Sequence, residues 1–141
     1  MIMRLDFWQR ALVDLLGPSW GHFAYTMIDH ESIGHRLVDT IRSELPDAPL
    51  AAYPERTQGI GCYRTVAVKI MAKTEAEELE IGDGGFVGWT AELIPDAKER
   101  CLISCVALER LGRFDPVGRS STRIPIILGS TRSAGNFSVA A

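Results

Sequence analysis

The side chains best suited to chemistry lie between residues 56 and 111, along a strand predicted from alternating hydropathy. Thr65 and Lys69 project from the polar face of this run, and Tyr63 stands at its entrance. Hydroxyl and ammonium groups can donate hydrogen bonds to a carboxylate or a phosphate. The pattern therefore predicts an open sheet whose side chains converge on a small zwitterion or a nucleotide.

Arg110 is the second candidate for binding an anion. It follows an apolar run at a predicted strand-to-helix junction, a position that suits a carboxylate or phosphate. We expect its guanidinium to point into a cleft below the strand of Lys69, within reach of Tyr63. The alternative, given equal weight, is a structural ion pair with Glu109 or Asp115.

A pair of adjacent glycines follows, in Asp83-Gly84-Gly85. Such a pair permits positive φ and lets a ligand or another strand approach the backbone closely. We predict an elbow in which Gly84 or Gly85 takes positive φ at the rim of the main concavity. A tight hairpin or a β-bulge is the competing interpretation.

Other catalytic signatures are missing. His30 and His35 are five positions apart, about 140° around a helix, so they do not form the one-faced zinc motif, and no metal site is predicted. The sequence also contains no nucleophile elbow and no phosphate-binding loop ending in Lys-Ser or Lys-Thr. Its three cysteines are predicted to be reduced thiols, and Cys62 is predicted to be a small buried hydrophobe.

Composition narrows the class of protein. The chain has 141 residues, of which 46% are hydrophobic and 23% charged, which suits one globular domain with a real core. A net charge of -3 argues against a dedicated nucleic-acid binder. The apolar runs are too short to span a bilayer, and the first residues lack a signal-peptide pattern. We expect a cytoplasmic protein with a single domain over residues 1–128 and a flexible tail over 129–141.

Periodicity predicts an α+β domain with a mainly antiparallel sheet flanked by helices. Its elements, in chain order, are a helix over Asp6–Leu16, a strand over His22–Ile28, a helix over Glu31–Leu45, a proline-rich loop, a strand over Tyr63–Ala72, a returning strand that includes Leu79 and Ile81, a helix over Trp89–Ile94, a central strand over Arg100–Val106, a helix over Ala107–Phe114 and a strand over Ile124–Leu128. The strands that carry Val66, Val68 and Ile70 and that carry Leu102, Ser104 and Val106 are expected to adjoin in one sheet.

Three segments between residues 56 and 111 resemble, in order and spacing, motifs of the histidyl-tRNA synthetase group of class II aminoacyl-tRNA synthetases. Gly59-Ile60-Gly61-Cys62-Tyr63 is similar to that family's Arg-Gly-Leu-Asp-Tyr-Tyr turn. Gly84-Gly85-Phe86-Val87-Gly88 is similar to its Gly-Gly-Arg-Tyr-Asp elbow. Ala107-Leu108-Glu109-Arg110-Leu111 is similar to its Gly-Leu-Glu-Arg-Leu segment. The resemblance implies a class II synthetase-like fold and a pocket on its sheet.

The resemblance also implies roles for individual residues. It points to substrate contacts from Gln58, Tyr63, Thr65, Lys69, Asp83, Gly84 and Gly85. Arg110 matches the arginine that contacts ATP phosphate in the family, so ATP is the implied cofactor. Some positions depart from the family pattern: its catalytic arginine falls on Gln58, with Arg56 no obvious substitute, and Phe86 and Val87 replace an arginine and a tyrosine.

Three functions follow as hypotheses. The first is a regulatory or accessory domain that binds an amino acid or a nucleotide without charging tRNA. The second is an enzyme that activates a carboxylate with ATP, using Arg110 and Lys69 to stabilise phosphate charge. The third is a non-catalytic module that dimerises through a sheet edge or the first helix. The resemblance implies a homodimer or an accessory subunit of a larger complex. The net charge and the short apolar runs predict no nucleic-acid or membrane partner.

Overall fold

The computed structural model describes residues 1–73, 77–94, 96 and 99–114. These residues form four helices and five strands: α1 (Ile2–Leu16), β1 (Gly21–Met27), α2 (Glu31–Glu44), β2 (Leu50–Ala52), β3 (Tyr63–Lys73), β4 (Glu78–Val87), α3 (Trp89–Leu93), β5 (Cys101–Val106) and α4 (Leu108–Leu111). The predicted α+β class is confirmed. The strand predicted over residues 124–128 and the tail predicted over 129–141 lie outside the described residues.

The five strands make one mixed sheet in the order β2-β1-β3-β4-β5. Only the β1–β2 pair is parallel; the other three pairs are antiparallel. β3 and β5 share the sheet as expected, but β4 separates them, so the prediction that they adjoin is wrong. β5 is also an edge strand and not a central one. Its residues are at most partly buried and Cys105 is exposed. The apolar composition of the strand does not reveal that one of its edges lacks a neighbouring strand.

One face of the sheet packs against α1 and α2. The core on this face joins Leu5 and Leu12 of α1 and Ile41 of α2 to alternate residues of β1 and β3, among them Phe23 and Val68. Because side chains alternate along a strand, the residues between them point to the opposite face. We call that side the open face; it is marked by Ala24, Lys69, Asp83 and Cys105, which lie level across four strands.

The first helix begins earlier than predicted and turns a different side inward. It starts at Ile2, and Asp6 lies inside it, paired with Arg10 at 3.0 Å. Helical spacing predicts one side formed by Phe7, Ala11, Leu12 and Leu15. Leu12 is buried as predicted, together with Leu5 two turns earlier, whereas Phe7 and Leu15 are exposed. The apolar residues of α1 are spread over more than one side of the helix, so helical spacing alone does not determine which side is buried.

β2 was not predicted, because the segment reads as a proline-rich loop. It has only three residues, and it pairs in parallel with β1 through Phe23 and Leu50. A strand this short has almost no periodicity to detect, and its partner lies across the whole of α2. The predicted strand over His22–Ile28 and the predicted helix over Glu31–Leu45 are confirmed within one residue at each end.

Two irregularities shape the centre of the sheet. In β4, Ile81 is an extra residue, because Ile70 pairs with Gly82 while Met71 pairs with Glu80. In β3, two residues, Thr65 and Val66, intervene where β4 continues directly from Gly85 to Phe86. Bulges of this kind re-aim side chains along a strand. They decide which residues reach the open face.

Candidate functional site

The open face carries a row of charged side chains at its centre. Lys69 lies opposite Asp83 in the β3–β4 register, and its Nζ is 2.6 Å from Glu80 Oε2. Glu80 and Asp83 share this face although they are three positions apart, because the extra residue Ile81 restores the phase of the strand. The Lys69 side chain is only 15% exposed, so this ion pair is partly shielded from water.

A second ion pair, which we call the Arg56 brace, fastens the loop before β3 to the sheet. Arg56 Nη2 lies 2.9 Å from Asp83 Oδ2, and the arginine side chain is 2% exposed. Arg56 Nε and Nη2 also donate to the carbonyls of Gln58 and Gly59, at 3.1 and 3.3 Å. The guanidinium carbon lies 5.5 Å from the centre of the Tyr63 ring. Arg56 Nη1 is buried without a hydrogen-bond partner among the described residues.

Asp83 is the shared acceptor of this cluster. Besides Arg56, the Cys105 thiol donates to its Oδ1 over 3.6 Å. Burial raises the pKa of the Tyr63 phenol well above its usual range, and the charge of Asp83 and a hydrogen bond to it add to the shift, while Arg56 opposes it. Tyr63 therefore stays protonated at any physiological pH and can act as a hydrogen-bond donor.

Beside Lys69 the open face sinks into a concavity of about 210 Å³, which we call the trough. Its lining is His22, Ala24, Ala52, Tyr53, Lys69, Met71 and Glu78. His22 Nδ1 lies 3.0 Å from Glu78 Oε1, which joins β1 to β4 across the middle strand. Lys69 Nζ lies 5.4 Å from the centre of the Tyr53 ring. The trough thus combines one base, one acid, an imidazole, an aromatic ring and a thioether around one open concavity.

The glycine elbow is not found. Gly84 and Gly85 lie within β4, and neither has positive φ. A Cβ at Gly84 would meet Ile103 O at 2.6 Å, and a Cβ at Gly85 would meet Tyr63 Cδ1 at 2.8 Å. The glycines therefore allow β5 and Tyr63 to approach β4 closely. They line a gap under α1 of about 20 Å³, which holds roughly one water molecule and is too small for a ligand.

The structure brings together Tyr63, Lys69 and Asp83 from the predicted site but not Thr65. Thr65 has φ of 65° within the β3 irregularity, and its N–H donates to Asp29 Oδ1 at 2.6 Å. Its side chain lines a separate concavity of about 190 Å³. Gln58 is exposed and takes part through its carbonyl oxygen, which accepts from Arg56 Nε.

Arg110 does not reach Tyr63, so that prediction is wrong. Its Nη1 donates to the Glu80 carbonyl at 2.9 Å, and the side chain is exposed. Glu80 lies opposite Met71, whereas Tyr63 lies opposite Val87 toward the other end of the strand pair. The partner of Arg110 is thus a backbone carbonyl. The alternative prediction was an ion pair with Glu109 or Asp115, of which Asp115 lies outside the described residues.

Sequence reasoning missed the residue that organises the site, Arg56. The sequence signal for it was a cation, Arg56, just before the turn at Gly59, with Asp83 further along the chain as an acid that could pair with it. Cys62 was also misassigned: it is exposed, and its thiol faces the Gly59 carbonyl at 4.0 Å. The described residues contain no group of three or more His, Cys, Asp or Glu that could hold a metal ion.

This arrangement is that of a class II aminoacyl-tRNA synthetase-like fold: a mostly antiparallel sheet with helices on one face and a charged opposite face. The structure of apo S. aureus histidyl-tRNA synthetase superposes on it with a TM-score of 0.62 and 15% sequence identity. The match covers 79% of this chain and 34% of that one, so the chain spans about a third of the length of the synthetase. At this identity the likeness is one of fold.

No protein-family model matches the sequence, and no curated protein matches it. Among the described residues, no helix combines the length and apolar character needed to cross a bilayer.

Proposed function

We propose that this chain is a small-molecule binding domain, with an amino acid or a nucleotide as ligand, that acts as a regulatory or accessory unit and does not charge tRNA. The observation that carries the proposal is the trough on the open face, with Lys69 and Glu78 in its lining. The class II synthetase-like fold supports it. Gln58, at the position where the family resemblance places a catalytic arginine, argues for binding without catalysis.

The trough offers complementary groups to such a ligand. Lys69 can donate to an anionic oxygen, and Glu78 can accept from an amine. The Tyr53 ring and the Met71 thioether add apolar contact area. The Arg56 brace, adjacent to Lys69 across the strand pair, holds the central strands in register, so these groups are positioned before a ligand arrives.

Thermal shift and titration calorimetry with the twenty amino acids, AMP and ATP test the proposal. A ligand present at about ten times its Kd adds about 1.4 kcal/mol to the free energy of unfolding. We expect Ala52→Trp to abolish the shift, because the larger side chain fills the trough whatever the charge of the ligand. Ala51→Trp, at the neighbouring exposed position outside the trough lining, is the control and should leave the shift unchanged. Absence of a shift with every compound at millimolar concentration would end the proposal.

The absence of catalysis has its own assay. If the domain only binds, pyrophosphate exchange with ATP stays at background with each of the twenty amino acids. Exchange that depends on one amino acid would instead favour the carboxylate-activating enzyme.

The accessory role implies a protein partner, and we propose that α1 contributes its surface. Met3 and Phe7, one turn apart on this helix, are 87% and 56% exposed. A homodimer would bury them against a second copy. Sedimentation velocity should then show dimers that Met3→Gln with Phe7→Gln converts to monomers. A wild-type protein that stays monomeric at every concentration would remove the homodimer.

A further inference from the structure

We infer that the trough engages its ligand through a cationic nitrogen, such as a primary amine, and rejects polyphosphates. This inference rests on the proposed function and narrows its ligand class. It follows from how the charges around the trough are already paired.

The single base in the trough lining is already neutralised. Lys69 Nζ contacts Glu80 Oε2 at 2.6 Å, so its positive charge is balanced before a ligand arrives. Arg56, another cation that reaches the open face, is likewise paired with Asp83 at 2.9 Å. An incoming anion would have to break one of these shielded pairs or share its cation with a carboxylate.

The acid of the trough is not neutralised in the same way. Glu78 Oε1 contacts His22 Nδ1 at 3.0 Å, and His22 carries a charge only when protonated. Lys73 lies opposite Glu78 in the strand register but makes no ion pair with it in the described structure. The Glu78 side chain is 44% exposed, so a small molecule can reach its carboxylate.

The hydrogen-bonding groups favour the same ligand. When His22 Nδ1 donates to Glu78, the other nitrogen of the neutral ring is an acceptor, and Glu78 retains a second oxygen. The face of the Tyr53 ring attracts cations, as the position of Lys69 Nζ 5.4 Å from its centre illustrates. Acceptors and an aromatic face together select a ligand that carries N–H groups and positive charge.

ATP, the cofactor that the fold family implies, does not fit the lining of the trough. A triphosphate requires several unpaired cations, whereas Lys69 and Arg56 are each paired with a carboxylate. Gln58 occupies the position of an arginine, and the Arg110 guanidinium is bound to the Glu80 carbonyl. Glu78 adds repulsion toward phosphate in the trough.

The test uses three probes that share a ring and a chain and differ only in charged groups: phenethylamine, phenylalanine and 3-phenylpropionate. Inorganic triphosphate and ATP complete the set, and binding is measured by calorimetry on the full chain. We expect phenethylamine to bind about tenfold more tightly than 3-phenylpropionate or triphosphate, since only the amine brings positive charge to the Glu78 carboxylate.

Three variants locate the effect. Glu78→Gln keeps the shape of the side chain and should weaken phenethylamine binding about fivefold or more, because the charge on the acceptor is lost. Lys73→Gln removes the cation opposite Glu78 in the strand register and should strengthen binding about twofold. Glu44→Gln, an exposed acid on α2, should change nothing. Circular dichroism confirms that each variant is folded.

The outcomes separate the two proposals. If 3-phenylpropionate or triphosphate binds as tightly as phenethylamine, or if Glu78→Gln leaves amine binding unchanged, the inference is overturned while the proposed function stands. If none of the probes, amino acids or nucleotides binds, both are overturned.

Discussion

Arg56 and Asp83, 27 positions apart in the sequence, meet with 2.9 Å between Nη2 and Oδ2. This contact attaches the loop before β3 to the middle of the sheet, and the arginine it involves is almost completely buried. The stability of the open face therefore depends on a pair that no local sequence pattern connects.

Replacing Asp83 with asparagine should lower the free energy of unfolding by about 1–3 kcal/mol, because the Arg56 charge stays buried without its counter-ion. Urea unfolding measures the loss. The matched control is Asp6→Asn in the exposed pair with Arg10, expected to cost less than about 1 kcal/mol. A double-mutant cycle with Arg56→Met should give a positive coupling energy; additive losses would show that the two residues act independently.

The raised pKa of Tyr63 predicts a loss of stability at alkaline pH. The unfolded chain releases the phenol proton near pH 10, while the folded protein retains it. Above that pH the unfolded state binds fewer protons, so the free energy of unfolding falls as pH rises toward the folded pKa. Urea midpoints at pH 8 and pH 10.5 measure the drop.

Tyr63→Phe is the control for this effect, because it removes the ionisable group and keeps the ring. The variant should lose less stability than the wild type between the two pH values. An equal drop in both proteins would assign the alkaline sensitivity to other groups.

The glycines of β4 should resist substitution. Gly84→Ala places a Cβ 2.6 Å from Ile103 O and 2.8 Å from Ser104 Cβ, and such overpacking costs about 1–3 kcal/mol. Gly61→Ala is the matched control, since a Cβ there meets no atom within 4 Å. Thermal melts should show a lower Tm for Gly84→Ala alone. If the Tm of Gly84→Ala is as little changed as that of Gly61→Ala, β5 can move away from β4 to make room for the methyl group.

Thr65 holds backbone strain, because a β-branched residue rarely takes a φ of 65°. Asparagine tolerates this conformation better, so Thr65→Asn should raise the free energy of unfolding by about 0.5–1 kcal/mol. Asp29→Ala removes the acceptor of the Thr65 N–H and should lower it by about 1–3 kcal/mol. Chemical denaturation of both variants checks the opposite signs, and a destabilised asparagine variant would contradict the strain.

The sequence was informative where the signal is local. Alternation over β3 placed Val66, Val68 and Ile70 on the buried side and Lys69 on the open face, because strand periodicity is a direct record of burial. Tyr63 was assigned to the site for its position at the strand entrance. It does belong to the central cluster, although it is buried beside Arg56 and not open to solvent.

The rest depends on contacts between distant segments. Arg56 joins the site through Asp83, and Arg110 leaves it for the Glu80 carbonyl, and neither partner can be read from neighbouring residues. The glycine pair in β4 is compatible with a turn or with a close strand contact. The close approach of β5 shows that it is a strand contact. These features required the sheet order, which periodicity does not encode.

The extra residue Ile81 also bears on how this strand tolerates changes of length. Ile81 and Gly82 together occupy the place opposite Ile70, so deleting Ile81 would leave Glu80 and Asp83 facing the same side. Deleting a residue just after Asp83 would instead exchange the two sides for everything up to Val87. The bulge is therefore the point at which β4 can lose one residue while its side chains stay on the same sides of the sheet. It lies between Glu80 and Asp83, the two acids that pair with Lys69 and Arg56.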